Sequence, residues 1–207
     1  MVIKDRRRVD DYYSRKARQE GYPARSVYKI DEINQKYHLF RWGQIVLDLG
    51  CAPGSWSRYA AEQVGGAGRV IGLDLNPVTQ EKVWPPQVSL YQADLLEGIP
   101  EAVIRAGPFD LILSDLAPRT TGRREVDQAR NLELCHQAWN LAEGLLKPGG
   151  HFLFKIFQSQ EGNVFILALA SSFTKIIRLK PKASRSTSSE LFILARFFKN
   201  NSVISKG

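Results

Sequence analysis

Between residues 44 and 198, short apolar runs alternate with longer stretches in which apolar positions recur every three or four residues. The runs at 44–48, 70–73, 88–92, 109–114, 152–155, 175–179 and 191–198 are rich in Val, Ile, Leu and Phe and predict seven strands. The segments 56–64, 97–106, 125–146 and 162–173 predict helices between them. Lys147-Pro148-Gly149-Gly150 predicts a helix stop followed by a turn. Strands that alternate with helices need crossover connections. The expected fold is therefore α/β, Rossmann-like, with a seven-stranded, mostly parallel sheet covered by helices on both faces.

Ahead of the sheet, 10–19 predicts a short helix stopped by Gly21, and 24–37 a second with Val27, Ile30, Ile33 and Tyr37 on one face. No repeat, low-complexity tract or linker interrupts the chain. One domain over 1–207 is expected, with a helical arm at 1–41, the Rossmann-like core at 42–198 and a frayed tail at 199–207.

Charge adds to this picture because it is uneven. Residues 1–41 carry eleven Lys and Arg against six Asp and Glu, 42–117 four against nine, and 118–207 fourteen against six. A polyanion suits the basic ends, and a cationic small molecule suits the acidic middle. Composition otherwise excludes more than it suggests. The apolar content of 43% is that of a soluble globular protein. No apolar run approaches membrane-spanning length, and the charged start MVIKDRRRVDD argues against secretion, so a cytoplasmic location is expected. Cys51, Cys135, His38, His136 and His151 have no zinc-site spacing, and no metal is expected.

In an open parallel sheet, ligands bind at the carboxyl ends of the strands, near the point where strand order reverses. The loop after the first sheet strand, Asp48-Leu49-Gly50-Cys51-Ala52-Pro53-Gly54-Ser55-Trp56, offers Gly50 and Gly54 for close backbone approach. It is not GxGxxG, because Ala52 and Pro53 occupy its middle, which suits a nucleoside without phosphates. Asp74 ends the second strand, where it could accept from a ribose diol, and Asp94 follows the third, where it could accept from an adenine amino group. One strand-end Asp is ordinarily a cap or turn residue, but three on consecutive strands after a glycine loop favour a ligand. Asp115, Lys155 and Glu190 also stand at strand ends, after FDLILS, at the close of HFLFK and at the opening of LFILARF. Lys29 interrupts the apolar face of its helix. Alone, Lys155 reads as a snorkelling lysine, Glu190 as a solvated acid beside a turn, Trp56 as helix core and Cys51 as a small apolar filler.

DLGCAPGSWSRYA, Asp74, SDLAP at 114–118, KPKASRSTSSELFILA at 180–195 and GYPARSVYKIDEI at 21–33 together resemble the FtsJ/RrmJ family, over roughly residues 12–198. That family consists of S-adenosylmethionine-dependent RNA ribose 2′-O-methyltransferases. The resemblance implies a methyltransferase fold, cofactor contacts from Gly54, Trp56, Asp74, Asp94 and Asp115, and a catalytic tetrad of Lys29, Asp115, Lys155 and Glu190. A ribose hydroxyl is a weak nucleophile that must lose a proton as it attacks. On this reading Lys155 orients the hydroxyl and accepts that proton, Asp115 holds Lys155, and Lys29 and Glu190 orient the ribose.

Arg119, Arg123 and Arg124, with Lys180, Lys182 and Arg185, flank the tetrad and are the expected RNA contacts, joined by Arg6, Arg7, Arg8, Arg15, Lys16 and Arg18 of the arm. Ser55 stands where the ribosomal branch of the family usually has Gly and the transfer-RNA branch often has Ser. The loop APRTTGRREVDQAR and the compact length resemble the ribosomal branch. The expected substrate is a uridine of large-subunit ribosomal RNA, reached by a monomer. Transfer RNA is the alternative, and a non-catalytic RNA-binding module the remote one. A nicotinamide oxidoreductase should show GxGxxG, and a protein-nitrogen methyltransferase often shows an NPPY-like motif where this chain has SDLAP.

Overall fold

The computed structural model describes residues 6–78, 84–184 and 188–199, with side chains from Tyr12 onward. Its elements are α1 (Arg6–Gln19), α2 (Val27–Tyr37), β1 (Ile45–Leu49), α3 (Ser55–Val64), β2 (Arg69–Asp74), β3 (Val88–Gln92), α4 (Glu101–Ala106), β4 (Phe109–Ser114), α5 (Arg124–Leu145), β5 (Leu146–Phe157), α6 (Gln160–Leu169), β6 (Phe173–Leu179) and β7 (Glu190–Phe198). One seven-stranded sheet runs in the order β3-β2-β1-β4-β5-β7-β6. β7 is antiparallel to both of its neighbours, and every other pair is parallel. Strand order reverses between β1 and β4, so the carboxyl ends of these two strands flank the crevice such sheets use for ligands.

The two-residue period of the strands divides the core between the faces. Leu47, Leu49, Ile112, Phe152 and Phe154 pack with Cys135, Ala138 and Phe165 of α5 and α6. Val46, Val70, Leu111, Leu113, Leu153 and Phe192 pack on the other face with Ile30, Ile33, Trp56 and Ala60 of α2 and α3. Counting by twos from this second set reaches Asp48, Asp74, Asp115, Lys155 and Glu190. The strand alternation thus sends all five to the α2–α3 side of the sheet edge.

Several predicted bounds shift for local reasons. Lys147–Gly150 is no free turn: these residues lie within β5, where Phe109 pairs with Leu146 but Leu111 pairs with His151. The segment bulges there, with Gly149 at φ 78°. α4 begins only at Glu101, after Pro100 at its N-cap, because Asp94 and Gly98 (φ 125°) turn the chain first. α6 starts at Gln160 because the Ser159 hydroxyl accepts from the Gly162 amide (2.9 Å). It ends at Leu169, and β6 takes over at Phe173. Among the described residues, no helix is long and apolar enough to cross a membrane.

Candidate active site

β1 delivers Asp48 to the switch point, where its carboxylate is fully buried. The Ser57 hydroxyl of α3 donates to Oδ2 (2.6 Å), while Oδ1 is buried and has no hydrogen-bond partner. Burial pushes this carboxyl up to about 7, and the nearby Asp115 and Asp74 add to the rise against the Ser57 hydrogen bond. Asp74, ending β2, accepts from the Ala52 amide (2.9 Å) through one oxygen and from Asn76 (2.7 and 3.1 Å) through the other. It therefore braces the glycine loop as well as facing the edge. Asp94 accepts from the Leu96 amide (2.9 Å), which is the ordinary turn role of such a residue.

Close approach does occur at both glycines, in each case by the chain itself. Gly50 (φ 76°) lies so close to Leu116 that an added Cβ would stand 3.1 Å from its backbone nitrogen. This glycine lets the loops after β1 and β4 touch. Gly54 (φ 103°) faces the Trp84 ring, which an added Cβ would meet at 2.4 Å. The space above Gly54 is thus occupied by an indole from the β2–β3 connection.

Trp56 joins the core through its side chain. Its ring is buried against Phe192, and its indole N–H donates to the Ser26 carbonyl (2.9 Å). Its backbone amide lies in the first turn of α3, where amides have no intrahelical partner. Ser55 reaches the arm: its hydroxyl accepts from the Ala24 amide (2.7 Å) and donates to the Ala24 carbonyl (3.1 Å). Cys51 is buried with its sulfur against Gly72 and fills space there.

The other half of the edge is built from ion pairs. Lys155 on β5, 7% exposed, donates to Asp115 through both the carboxylate Oδ1 and the main-chain oxygen, each at 2.7 Å. Asp115 is fixed in turn by its own amide, which donates to the Leu49 carbonyl of β1 (3.2 Å). Lys29 of α2 meets Glu190 at 2.7 Å, both side chains 12% exposed, with the ammonium over the Phe192 ring (5.3 Å). Burial alone would raise the Glu190 carboxyl, but the Lys29 ammonium, helped by Lys155, holds it below the usual carboxylate range. Lys29 thus joins Glu190, and Lys155 joins Asp115, as two adjacent pairs. The register explains the adjacency: Lys155 is opposite Phe192, and Phe157 is opposite Glu190.

Basic groups surround this edge. Arg119 and Arg123 are exposed on the connection from β4 to α5, and Arg124 is exposed at the first position of α5. That connection is held by Asp127, whose carboxylate accepts from the Thr121 amide (2.7 Å), the Thr121 hydroxyl (2.9 Å) and the Gly122 amide (3.2 Å). Lys180 and Lys182 are exposed beyond β6, where the Lys182 amide donates to Glu32 of α2 (2.7 Å). Arg15 and Arg18 are exposed on α1, whereas Lys16 folds over the Tyr28 ring at 4.6 Å. Arg185 and the side chains of Arg6, Arg7 and Arg8 lie outside the described residues. Among the described residues, no group of three or more His, Cys, Asp or Glu could hold a metal ion. Ser57, Trp84 and Asp127 give no signal in the sequence for these contacts, because each reads there as an ordinary helix or loop residue.

The model of the FtsJ-like methyltransferase family matches residues 22–198. A protein of Bdellovibrio bacteriovorus named ribosomal RNA large subunit methyltransferase E is 44% identical, covering 89% of this chain and 94% of its own. One of the same name from Nitratidesulfovibrio vulgaris is 45% identical, covering 92% and 96%. A solved Plasmodium falciparum structure, assigned as a ribosomal RNA methyltransferase, superposes with a TM-score of 0.73 at 24% identity, over 86% of this chain and 98% of that one. That likeness shows the fold. With the family model spanning most of the chain and close relatives aligned nearly end to end, this chain belongs to the FtsJ-like methyltransferase family.

Proposed function

We propose that the protein transfers a methyl group from S-adenosylmethionine to the ribose 2′-hydroxyl of a uridine in large-subunit ribosomal RNA, in the cytoplasm. The observation that carries this reading is Lys155, buried at the switch-point edge and gripped by two oxygens of Asp115. The acidic half of the edge fits a cationic nucleoside: three carboxylates converge there, and one buried oxygen of Asp48 has no partner. Gly54, the Trp56 amide, Asp74, Asp94 and Asp115 would hold it. When bound, S-adenosylmethionine supplies an electrophilic methyl on a sulfonium.

The chain's own residues do the rest. Two N–H bonds of Lys155 are spent on Asp115, so with the amine in its neutral form the remaining tetrahedral position is the Nζ lone pair, free to face the ribose hydroxyl. Lys155 orients that oxygen and takes its proton as the new bond to carbon forms. The Lys29–Glu190 pair, one register step away, positions the ribose, and alignment supplies much of the acceleration. Arg119, Arg123, Arg124, Lys180, Lys182 and Arg185 take RNA phosphates. Ser55 does not favour transfer RNA, because its hydroxyl is spent on the arm.

The test is transfer from tritium-labelled cofactor to large ribosomal subunits, transfer RNA and total protein in parallel. Label in large-subunit RNA is expected. Label confined to transfer RNA would overturn the target, and label in protein the reaction class.

A further inference from the structure

Asp48 has no role in the chemistry above, yet it is among the least comfortable groups in the molecule. It is 0% exposed, one of its oxygens has no partner, and the charged groups nearest it are the acids Asp74 and Asp115. The elements packed on it offer little relief. α3 contributes the Ser57 hydroxyl and, more weakly, its backbone, the glycine loop contributes the Cys51 thiol, and Lys155 beyond β4 is taken up by Asp115. Burial also raises the Cys51 thiol, beyond the reach of neutral pH. An ionised carboxylate without a counter-charge is costly in such a place, whereas a neutral one is tolerable.

We propose that Asp48 exchanges a proton for the cofactor: it is a neutral acid in the ligand-free protein, and binding of cationic S-adenosylmethionine drives its proton into solvent. The carboxyl O–H breaks, the proton passes to water or buffer, and the carboxylate left behind balances the positive charge brought in. Asp48 is a positioning residue here, acting through space under the glycine loop. The inference rests on the S-adenosylmethionine reading above. A free-state value of about 7 puts the exchange within the working pH range. Below that point, cofactor affinity falls close to tenfold per pH unit, and above it the dependence flattens.

Calorimetric titration of the whole protein with S-adenosylmethionine, in buffers of different ionisation enthalpy at pH 6.0 and 7.0, counts the protons released. An α-amino group titrating near about 7.7–8.0 is almost wholly protonated at pH 6.0 and shifts the count at pH 7.0 by less than about 0.2 proton, which Asp48→Asn measures separately. The expected release is close to one proton per cofactor at pH 6.0 and about half a proton at pH 7.0. Asp48→Asn should release no more than the α-amino contribution at either pH. Ser57→Ala, which removes the hydroxyl that donates to Asp48 and leaves the Ser57 backbone contact, should release more than the wild type at pH 7.0, and it provides the answer should Asp48→Asn fail to fold. Clear wild-type binding without proton release, equal release from Asp48→Asn, or no change in Ser57→Ala would overturn the assignment while leaving the cofactor in place. No binding by the wild type at either pH would overturn both.

Discussion

Two buried carboxylates at one sheet edge have opposite fates. Asp48 sits among other acids with no cation against it and is pushed up to about 7, while Glu190 is held low by Lys29 at 2.7 Å. The half of the edge formed by β1 and β2 therefore holds a carboxyl that ionises readily only when a cation is brought to it. The half formed by β4, β5 and β7 carries its cations already in place. A sulfonium nucleoside suits the first half, and a neutral hydroxyl that must be oriented and deprotonated suits the second. On the proposed function, the difference separates the half that binds the cofactor from the half that acts on the ribose.

The strongest way to break the contrast is at its preassembled half. Lys155→Ala should lower turnover by at least ~100-fold, the usual scale for a positioned proton-transfer group. Cofactor affinity should persist, because Lys155 acts on the acceptor. Single-turnover transfer and calorimetry on the same preparation check the two parts.

On the acidic half, Asp74→Ala should weaken S-adenosylmethionine binding by more than about tenfold, on the scale of one lost charge-assisted hydrogen bond. The carboxylate that braces Ala52 is removed along with the acceptor. Titration calorimetry reads the loss. Gly54→Arg is a harsher probe, since its side chain would displace Trp84 as well as block a ligand.

Stability against pH sharpens the comparison, because the signs are opposite. The raised Asp48 value means its contribution is fully present below about 3.8 and is lost as pH climbs toward 7. The lowered Glu190 value means its contribution is present above about 4.5 and is lost as pH falls below that. Between pH 5 and pH 8, Asp48→Asn should therefore gain about 2–3 kcal/mol relative to the ligand-free wild type, or roughly 5–10 °C in melting temperature. Glu190→Gln should show no such gain over that range and should lose its disadvantage only in acid. Parallel thermal melts of the two variants decide the matter.

The smallest effect belongs to the basic rim. Arg123→Ala with Arg124→Ala should weaken RNA binding and flatten its salt slope by up to roughly two contacts, leaving cofactor affinity unchanged. Filter binding across a salt series measures both.

The strands were legible because burial on both faces makes them continuous apolar runs, and β3 and β4 fall at the predicted residues. Asp74, Asp115, Lys155 and Glu190 were legible because a charge at the end of such a run has no packing reason to be there. For Trp56 the resemblance implies a contact without naming an atom, and a tryptophan beside a glycine loop reads the same whether its ring faces ligand or core. Only the Ser26 carbonyl, thirty residues away in sequence, decides between them. Asp127 was hidden because bracing Thr121 and Gly122 leaves no trace in periodicity. The bulge within β5 was read as a turn because Pro148 and the glycines that follow signal both alike.

The most direct test of the account is the chemical site of methylation. Large ribosomal subunits labelled by the wild-type protein with tritiated S-adenosylmethionine should be digested with alkali and the products separated. A ribose methylated at its 2′-oxygen cannot assist cleavage of its own 3′ phosphodiester, so the label should survive in an alkali-resistant dinucleotide and be absent with Lys155→Ala. Label released entirely in mononucleotides, with the methyl on a base, would contradict it.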